Sequence, residues 1–521
     1  MIALFRRWLG LCIPLAGQLA QYIFLRRMRN FQKHQRSLSS QFSLNADTPI
    51  CGYSDLEEDI VHFVSQKPSE SIIFAETSGT TGTPKRIPYT RTRIRTFKLD
   101  SALAGMISFK HYKVRRSDLY VLSSRKQDRS FTALTMHQGS PKPNWIKALI
   151  YPSAHERDPS LEPLYQQYGG VAVRLWLMML TEPGILYCTN PSTLSVFLES
   201  VYVSWNENRR ILVDWGTNQM PEGDWSGFVS RLGTRRTKEE LLRIGTLAAA
   251  PEFSILFPYI QAFCSWDGGY VGRFIDQIRR RVPPKILHIP MYSMSTETVQ
   301  TLPVIYGSRL VYLPIVSNVR YEFIALNGEG DISSDILEPW ELTKGEEYIM
   351  LVSNEYGLRR YRTDDVFLCL QMVEGVPDLR FLRREGLRWS FTGEKITGEQ
   401  IQAVWDILCS EIDLTGYEMT LIPHFPAKAT CPNYILCLAQ VVQGEVDDCL
   451  AHRFDAELQK MNSEYRSKRE SGRLGCVDME IHAYSDIAAI LDTRTNSQDD
   501  IEKAVWESQF KLPPLWRKLR T

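Results

Sequence analysis

A run of small and hydroxyl-bearing residues behind a short apolar stretch constrains this chain most. The apolar residues 72–74 (IIF) are followed by 76–85 (ETSGTTGTPK). Glycines let backbone N–H groups turn towards phosphate oxygens, hydroxyls add further donors, and Lys85 adds a positive charge. An ordinary Gly/Thr surface turn would explain only a few of these residues. The pattern therefore predicts a loop that binds a polyphosphate.

This loop differs from the common P-loop, in which Gly directly precedes the lysine and Ser or Thr directly follows it. Here Pro84 precedes Lys85 and Arg86 follows it. The run instead resembles the phosphate-binding signature of the adenylate-forming superfamily, whose members convert carboxylates to acyl-AMP with ATP. Three later segments resemble consecutive signatures of one branch, the auxin-responsive (Gretchen Hagen type) acyl acid amido synthetases and their microbial relatives. They are 320–324 (RYEFI), 344–348 (KGEEY) and 357–366 (GLRRYRTDDV).

The resemblance implies a role for each of several side chains. Asp365 would hold the ribose hydroxyls of ATP, and Tyr292 would lie near the adenine. Thr296 would contact the α-phosphate, and Glu297 would hold Mg²⁺, a hard cation that prefers oxygen ligands. Lys511, in the segment 509–514 (QFKLPP), would be the catalytic lysine of adenylation. The residues that would cradle the phosphates are Thr77, Ser78, Gly79, Thr80, Thr81, Gly82 and Lys85.

The sequence departs from the family pattern in three places. Tyr292 and Glu297 are one residue further apart than usual, and Pro514 stands where the family often has Arg. The third departure is Asp364. Asp364 stands where the family usually has Gly, directly before the predicted ribose ligand. For a turn aspartate in an arginine-rich segment, the alternative to ligand binding is an ion pair with a neighbouring Arg, and this fits Asp364 better than Asp365.

Composition narrows the class of protein. The 521 residues, of which 44% are hydrophobic and 23% charged, are enough for more than one domain. A formal net charge of +1 gives no electrostatic reason to expect nucleic acid as a partner. Because the ten cysteines include no Cys-x-x-Cys pair, we expect neither zinc nor a disulfide framework. The simplest expectation is a monomer in the reducing cytoplasm.

The N-terminal segment 1–48 is predicted to be helical. Its apolar part runs from Trp8 to Leu25 between two Arg-Arg pairs and is interrupted by Pro14 and two glutamines. We expect a helix that packs on the body or makes a peripheral contact with a membrane; a true membrane anchor is the alternative.

The rest of the chain is predicted to form an α/β adenylate-forming fold with two domains. Residues 49–388 would be a large domain that binds ATP and the acyl substrate, and residues 389–521 a small, mobile α+β domain that carries Lys511. Apolar periodicity predicts helices over 399–412 and 446–465, and also at 238–244. It predicts strands over 349–352, 366–370, 381–391, 434–441 and 477–481.

The function expected from this resemblance is ATP-dependent activation of a carboxylic acid, followed by transfer of the acyl group to an amine such as that of an amino acid. Two alternatives stay open. An acyl-CoA ligase of the same superfamily would share the phosphate loop but not the segments 321–324 and 509–511. A non-catalytic scaffold could keep the fold, but it would have no need for Lys85, Glu297, Asp365 and Lys511 together.

Overall fold

The computed structural model describes most of the chain in two compact units. One unit contains the described residues up to 382 and the other those from 383 onwards. The predicted roles of the two domains stay predictions. The phosphate loop 77–85 and Lys511 lie outside the described residues, which are 10–66, 72–76, 86–122, 150–189, 191–268, 272–326, 332–384, 388–389, 396–414, 416–424, 432–440, 446–447, 449–470 and 474–483.

The N-terminal part of the first unit is helical, and its first helix packs against the body, one of the two arrangements expected for it. Gly17, on the buried face of this helix, allows a close approach to the fourth helix, because a Cβ there would lie 2.7 Å from the Cβ of Lys110. No helix within the described residues combines the length and apolarity needed to cross a membrane. The helices are α1 (Ile13–Arg29), α2 (Phe31–Gln41), α3 (Glu57–Ser65) and α4 (Arg91–His111), with a 3₁₀ turn at Ser54–Leu56.

A parallel sheet forms the centre of the α/β part. Its strands lie in the order β3 (Leu119–Val121), β4 (Ile185–Tyr187), β5 (Ala262–Ser265) and β6 (Leu287–Pro290). Every residue of β4 and β5 is buried, as expected for a parallel sheet covered on both faces. Leu186 and Phe263 share one core with side chains of the helices that follow.

The predicted helical segment 238–244 is confirmed, because it lies within the helix Lys238–Gly245. The helices of this part are α5 (Glu162–Thr181), α6 (Pro191–Val203), α7 (Trp205–Asn208), α8 (Arg210–Thr217), α9 (Trp225–Leu232), α10 (Lys238–Gly245), α11 (Phe253–Leu256) and α12 (Gly272–Arg281), with 3₁₀ turns at Pro152–Arg157 and Pro159–Leu161.

Antiparallel strands complete the first unit. A five-stranded sheet has the order β10-β9-β11-β12-β13, and two separate hairpins pair β1 with β2 and β7 with β8. The predicted strands at 349–352 and 366–370 are confirmed within longer strands. The strands are β1 (Ile73–Glu76), β2 (Arg86–Tyr89), β7 (Leu302–Tyr306), β8 (Arg309–Leu313), β9 (Arg320–Leu326), β10 (Ile332–Leu337), β11 (Glu347–Ser353), β12 (Tyr361–Val373) and β13 (Val376–Arg384), with a 3₁₀ turn at Pro339–Glu341.

A buried group of charges joins two of these strands. Arg360, just before β12, donates two hydrogen bonds to the carboxylate of Glu322 on β9, at 3.0 and 3.1 Å. The Arg320 guanidinium lies 3.6 Å from the same carboxylate and 2.6 Å from that of Glu338. Glu322 is 4% exposed, Arg360 6% and Arg320 2%. Charges this deeply buried require their partners, because an isolated ion in the interior loses its hydration.

The second unit is a small α+β body. Its main sheet has the order β16-β17-β18, and β18 is parallel to β17. The helix predicted over 446–465 is divided, because Asn462 is extended (φ −125°, ψ 106°) and its side chain accepts a hydrogen bond from the N–H of Tyr465 at 2.8 Å. The elements are β14 (Arg388–Trp389), β15 (Ile396–Thr397), α13 (Gly398–Glu411), β16 (Tyr417–His424), β17 (Asn433–Gln440), α14 (Leu450–Met461), α15 (Ser463–Glu470) and β18 (Asp478–Ala483).

Removing the shared carboxylate of the buried charge group should destabilise the fold. Glu322→Ala leaves two buried guanidinium groups without this partner, so the free energy of unfolding should fall by about 3–5 kcal/mol. Urea denaturation measures this loss. The matched control is Glu199→Ala, which removes the partner of Arg281 in a pair where both side chains are more than 40% exposed. It should cost at most about 1 kcal/mol. Equal losses in the two variants would contradict the structural role of the group.

Candidate nucleotide-binding site

The segment after β6 forms a tight turn that presents two of the predicted site residues. The N–H of Ser295 donates to the carbonyl of Thr298 at 2.8 Å, and Met294 and Val299 form an antiparallel bridge. Thr296 and Glu297 lie between these residues. Because β6 belongs to a parallel sheet, the turn lies at the carboxyl end of a strand, where open α/β sheets bind their ligands.

Glu297 is almost completely buried and is tied to β12. The Tyr361 hydroxyl donates a hydrogen bond to its carboxylate at 2.9 Å, and Glu297 is 4% exposed. Its backbone carbonyl accepts a hydrogen bond from the guanidinium of Arg93. The neighbouring carbonyl of Thr296 accepts one from the Tyr89 hydroxyl at 2.6 Å. The turn is therefore fixed through both its backbone and its side chain.

Arg93 connects the turn to the base of the predicted phosphate loop. Thr90 caps α4 by accepting a hydrogen bond from the N–H of Arg93 at 3.1 Å. The guanidinium lies over the rings of Tyr89 and Tyr356, 4.0 and 4.5 Å from their centroids, and donates to the carbonyl of Pro88 at 2.7 Å. Burial, opposed by the charge of Arg93, raises the pKa of Tyr89 to about 12, so its hydroxyl stays a donor at neutral pH.

The two ends of the predicted phosphate loop are held together by the first hairpin. Glu76 at the end of β1 pairs with Arg86 at the start of β2, and the Tyr53 hydroxyl both donates to the carbonyl of Arg86 at 3.0 Å and accepts from its N–H at 2.8 Å. Because Tyr89 lies on β2, the strand that follows the predicted loop is hydrogen-bonded to the Thr296–Glu297 turn. The positions of Thr77 to Lys85 stay a prediction.

Asp365 lies in a bulge of β12. Ile349 pairs with Val366 and Leu351 with Arg362, so one residue of β11 faces three of β12. The Thr363 hydroxyl holds this bulge by donating to the carbonyl of Met350 at 2.8 Å and accepting from the N–H of Asp365 at 3.1 Å.

The bulge directs the Asp365 carboxylate towards the turn. Asp365 is 6% exposed and accepts a hydrogen bond from the side-chain amide of Gln300. The amide oxygen of Gln300 in turn accepts from the Ser293 hydroxyl at 2.6 Å. The predicted ribose ligand and the turn that carries Glu297 are thus parts of one hydrogen-bonded network.

Asp364 has the backbone conformation that glycine adopts most easily. Its φ is +59°, in the left-handed region that Asp tolerates better than most residues. Its carboxylate accepts a hydrogen bond from Arg362 at 2.7 Å. Asp364 therefore forms an ion pair with a neighbouring arginine, the alternative to ligand binding. It also keeps the turn in the geometry that Gly would give.

A pocket of about 190 Å³ opens beside the turn. Ser293 and Thr301 line one side, and the stacked rings of Trp266 and Phe381 line another, with centroids 5.0 Å apart. The charged residues that also line it are Asp267, Asp378, Arg309 and Arg380. Burial, opposed by the charge of Arg380, raises the pKa of Asp267. An aromatic wall with a carboxylate suits a flat, nitrogen-rich ring.

Tyr292 is buried in the core of the first unit. It shares a hydrogen bond with Tyr187 of β4, and burial raises the pKa of Tyr292 to about 12. Its chain neighbours Met291 and Ser293 line the pocket. The role of Tyr292 near the adenine therefore stays a prediction.

Another group of potential metal ligands lies in the second unit. Ligand atoms of Cys437, Glu480 and His482 lie within 4.8 Å of one another. The Nε2 atom of His482 lies 3.3 Å from a carboxylate oxygen of Glu480, the distance of an ordinary side-chain pair. By contrast, the Thr296–Glu297 turn offers the oxygen ligands that Mg²⁺ prefers.

Several residues of the site were not assigned a role from sequence. Tyr361 lies within the segment 357–366 but carried no predicted function, and Gln300 and Arg93 lie outside the quoted motifs. Gln300 follows Glu297 by only three residues, so the sequence alone indicates that it lies near the predicted Mg²⁺ ligand. Arg93 had no comparable signal, because its contacts depend on how α4 packs.

Comparisons with known proteins find similarity to one family, GH3. The GH3 family N-terminal domain matches residues 24–207, and the GH3 family central domain matches residues 312–384. Jasmonoyl-L-amino acid synthetase JAR6 of Nicotiana attenuata is 26% identical over 217 residues, which cover 39% of this chain and 35% of that protein. Indole-3-acetic acid-amido synthetase GH3.8 of Oryza sativa subsp. indica is 23% identical over 304 residues, 56% of this chain and 45% of that protein. The chain thus spans less than half the length of these curated relatives.

Solved structures share the fold over nearly the whole chain. The AtGH3.15 acyl acid amido synthetase in complex with 2,4-DB has a TM-score of 0.70 at 14% identity, covering 94% of this chain and 96% of that one. A second structure of GH3.15 acyl acid amido synthetase has a TM-score of 0.66 at 14% identity, covering 89% and 88%. The predicted α/β adenylate-forming fold is confirmed. With both domain matches in the expected order, the predicted resemblance to this family is confirmed over residues 24–207 and 312–384.

Proposed function

We propose that this protein activates a carboxylic acid with ATP and transfers the acyl group to an amine, with an amino acid as the expected acceptor. The observation that carries the proposal is the network that joins Glu297, Tyr361, Gln300 and Asp365. It connects the carboxylates expected for magnesium and for ribose to one turn, which Tyr89 on the strand after the phosphate loop also contacts. The similar amido synthetases support the same reaction class.

The proposed reaction has two steps. A carboxylate oxygen of the acid attacks the α-phosphorus of ATP, and the bond from that phosphorus to the bridging oxygen of pyrophosphate breaks. The nitrogen of the amine then attacks the acyl carbon, AMP leaves, and the proton of the amine passes to solvent. Activation is needed because a bare carboxylate is a poor electrophile.

Each proposed role follows from the chemistry of the side chain. Thr77, Ser78, Gly79, Thr80, Thr81, Gly82 and Lys85 would bind the phosphates. Glu297 would hold Mg²⁺ together with ATP, and the ion when bound would neutralise phosphate charge. Thr296 would contact the α-phosphate, Asp365 would accept from the ribose hydroxyls, and Lys511 would stabilise the adenylation transition state.

The pocket beside the turn is proposed to take the adenine base. Trp266 and Phe381 offer aromatic faces, and Asp267 offers an acceptor for an amino group. Tyr292, between two lining residues, would support this pocket. We further propose a cytoplasmic monomer with no nucleic-acid partner.

Product analysis tests the proposed reaction directly. With Mg²⁺ and a suitable acid from a panel of aryl, indolyl and fatty acids, the protein should exchange labelled pyrophosphate into ATP. Adding amino acids should then give an amide and stoichiometric AMP, as mass spectrometry would reveal. Thioester formation with coenzyme A and no amide from any amine would assign the chain to the acyl-CoA ligases. No exchange across the panel by folded protein would favour the scaffold.

Substitutions at the turn should distinguish the carboxylate proposed to bind Mg²⁺ from the tyrosine that positions it. Glu297→Gln should slow pyrophosphate exchange by about 10²-fold or more and raise the Mg²⁺ concentration needed, because a charged ligand is lost. Tyr361→Phe should slow exchange by about tenfold, the effect of one hydrogen bond to a charged group. Asp364→Asn is the matched control, since Asn tolerates the left-handed φ, and it should leave exchange nearly unchanged. An Mg²⁺ requirement that does not move in Glu297→Gln would remove this residue from the metal site.

The pocket can be tested by comparing the two substrates. Asp267→Asn should raise the KM for ATP by about tenfold through loss of a charged acceptor and leave the KM for the acid unchanged. Asp276→Asn, on the exposed side of α12, is the control and should change neither constant. A rise in the KM for the acid alone would instead assign this pocket to the acyl substrate.

A further inference from the structure

The outer face of α1 exposes large apolar side chains. Leu11, just before the helix, is 72% exposed, and along the helix Leu15 is 71%, Leu19 60% and Tyr22 61% exposed. These positions are three or four residues apart, so they share one face of the helix. Several large apolar side chains exposed on one helix face are typical of a binding surface.

The inner face explains why the leucines stay outside. Gly10, Gly17 and Ala20 are buried on the opposite side. A Cβ on Gly10 would lie 2.0 Å from the carbonyl oxygen of Arg115, and one on Gly17 would lie 2.7 Å from the carbonyl oxygen of Met106. Because only small residues fit there, the helix cannot roll to bury its leucines without steric clash.

The same face of α1 carries positive charge beyond its apolar part. Arg26 and Arg29 are exposed one and two turns beyond Tyr22, whereas Arg27 turns inward to Asp100 at 2.8 Å. Residues 1–46 contain seven of the 61 Lys and Arg residues of the chain and none of the 60 Asp and Glu residues. The segment is therefore strongly basic in a chain whose formal net charge is +1.

We propose that this face binds the surface of an anionic lipid bilayer, with α1 lying in the plane of the interface. Leucines and a tyrosine would enter the headgroup region, and the arginines would contact acidic headgroups. A second copy of the chain fits less well, because a symmetric interface pairs the same patch with itself and this patch carries cations and no anions. The inference is independent of the proposed function.

Co-sedimentation of the full chain with vesicles tests the proposal. Vesicles of phosphatidylcholine with about one-third phosphatidylserine should bind the protein, binding should fall as salt is added, and phosphatidylcholine vesicles should bind it much less. The double variant Leu15→Asp, Leu19→Asp should reduce the bound fraction about tenfold or more, because two apolar anchors become anions. The matched control is Val203→Asp, since Val203 is also 72% exposed but lies at the end of α6. It should bind like the unchanged chain.

A second variant keeps the test decisive if the first fails to fold. Arg26→Gln, Arg29→Gln should weaken binding to the anionic vesicles and reduce its salt dependence, with thermal unfolding unchanged. Equal binding by the leucine variant and the Val203 variant would overturn the proposal. So would a failure of the unchanged chain to bind anionic vesicles, and a dimer in sedimentation equilibrium that the leucine variant abolishes would then assign the face to a second copy.

Discussion

The buried contact between Arg360 and Glu322 underlies the geometry of the candidate site. It fixes the start of β12 against β9 inside the protein, where charges without partners would be costly. The next residue, Tyr361, is thereby placed so that its hydroxyl reaches Glu297 on the turn after β6. The five-stranded antiparallel sheet and the carboxyl end of the parallel sheet are thus connected through two consecutive residues. Motifs distant in sequence meet at this junction.

The bulge in β12 shows how this chain accommodates an aspartate at a left-handed backbone position. The Thr363 hydroxyl holds the bulge by bridging the carbonyl of Met350 and the N–H of Asp365. The extra residues need one left-handed position, which Asp364 occupies at φ +59°. An aspartate there costs more backbone strain than glycine, but its ion pair with Arg362 offsets part of that cost.

Sequence reasoning succeeded where local signals agree with the final packing. The N-terminal helix, α10, α13 and strands β11, β17 and β18 follow apolar periodicity closely. It failed where a single tertiary contact overrides that periodicity. The apolar pattern of 446–465 continues past Asn462, but this residue leaves the helix and its amide donates to Gln400 at 3.0 Å. The site contacts of Arg93 and Tyr361 likewise join positions far apart in the chain, and no spacing rule encodes them.

At the surface of α1, tertiary packing again decides which side chains are buried and which are exposed. Glycine usually weakens a helix, yet here Gly17 permits a contact with α4 that a larger side chain would prevent. The consequence is that leucines point outward, at a cost in apolar exposure that folding alone does not explain. A bilayer surface would remove that exposure and compensate the arginines.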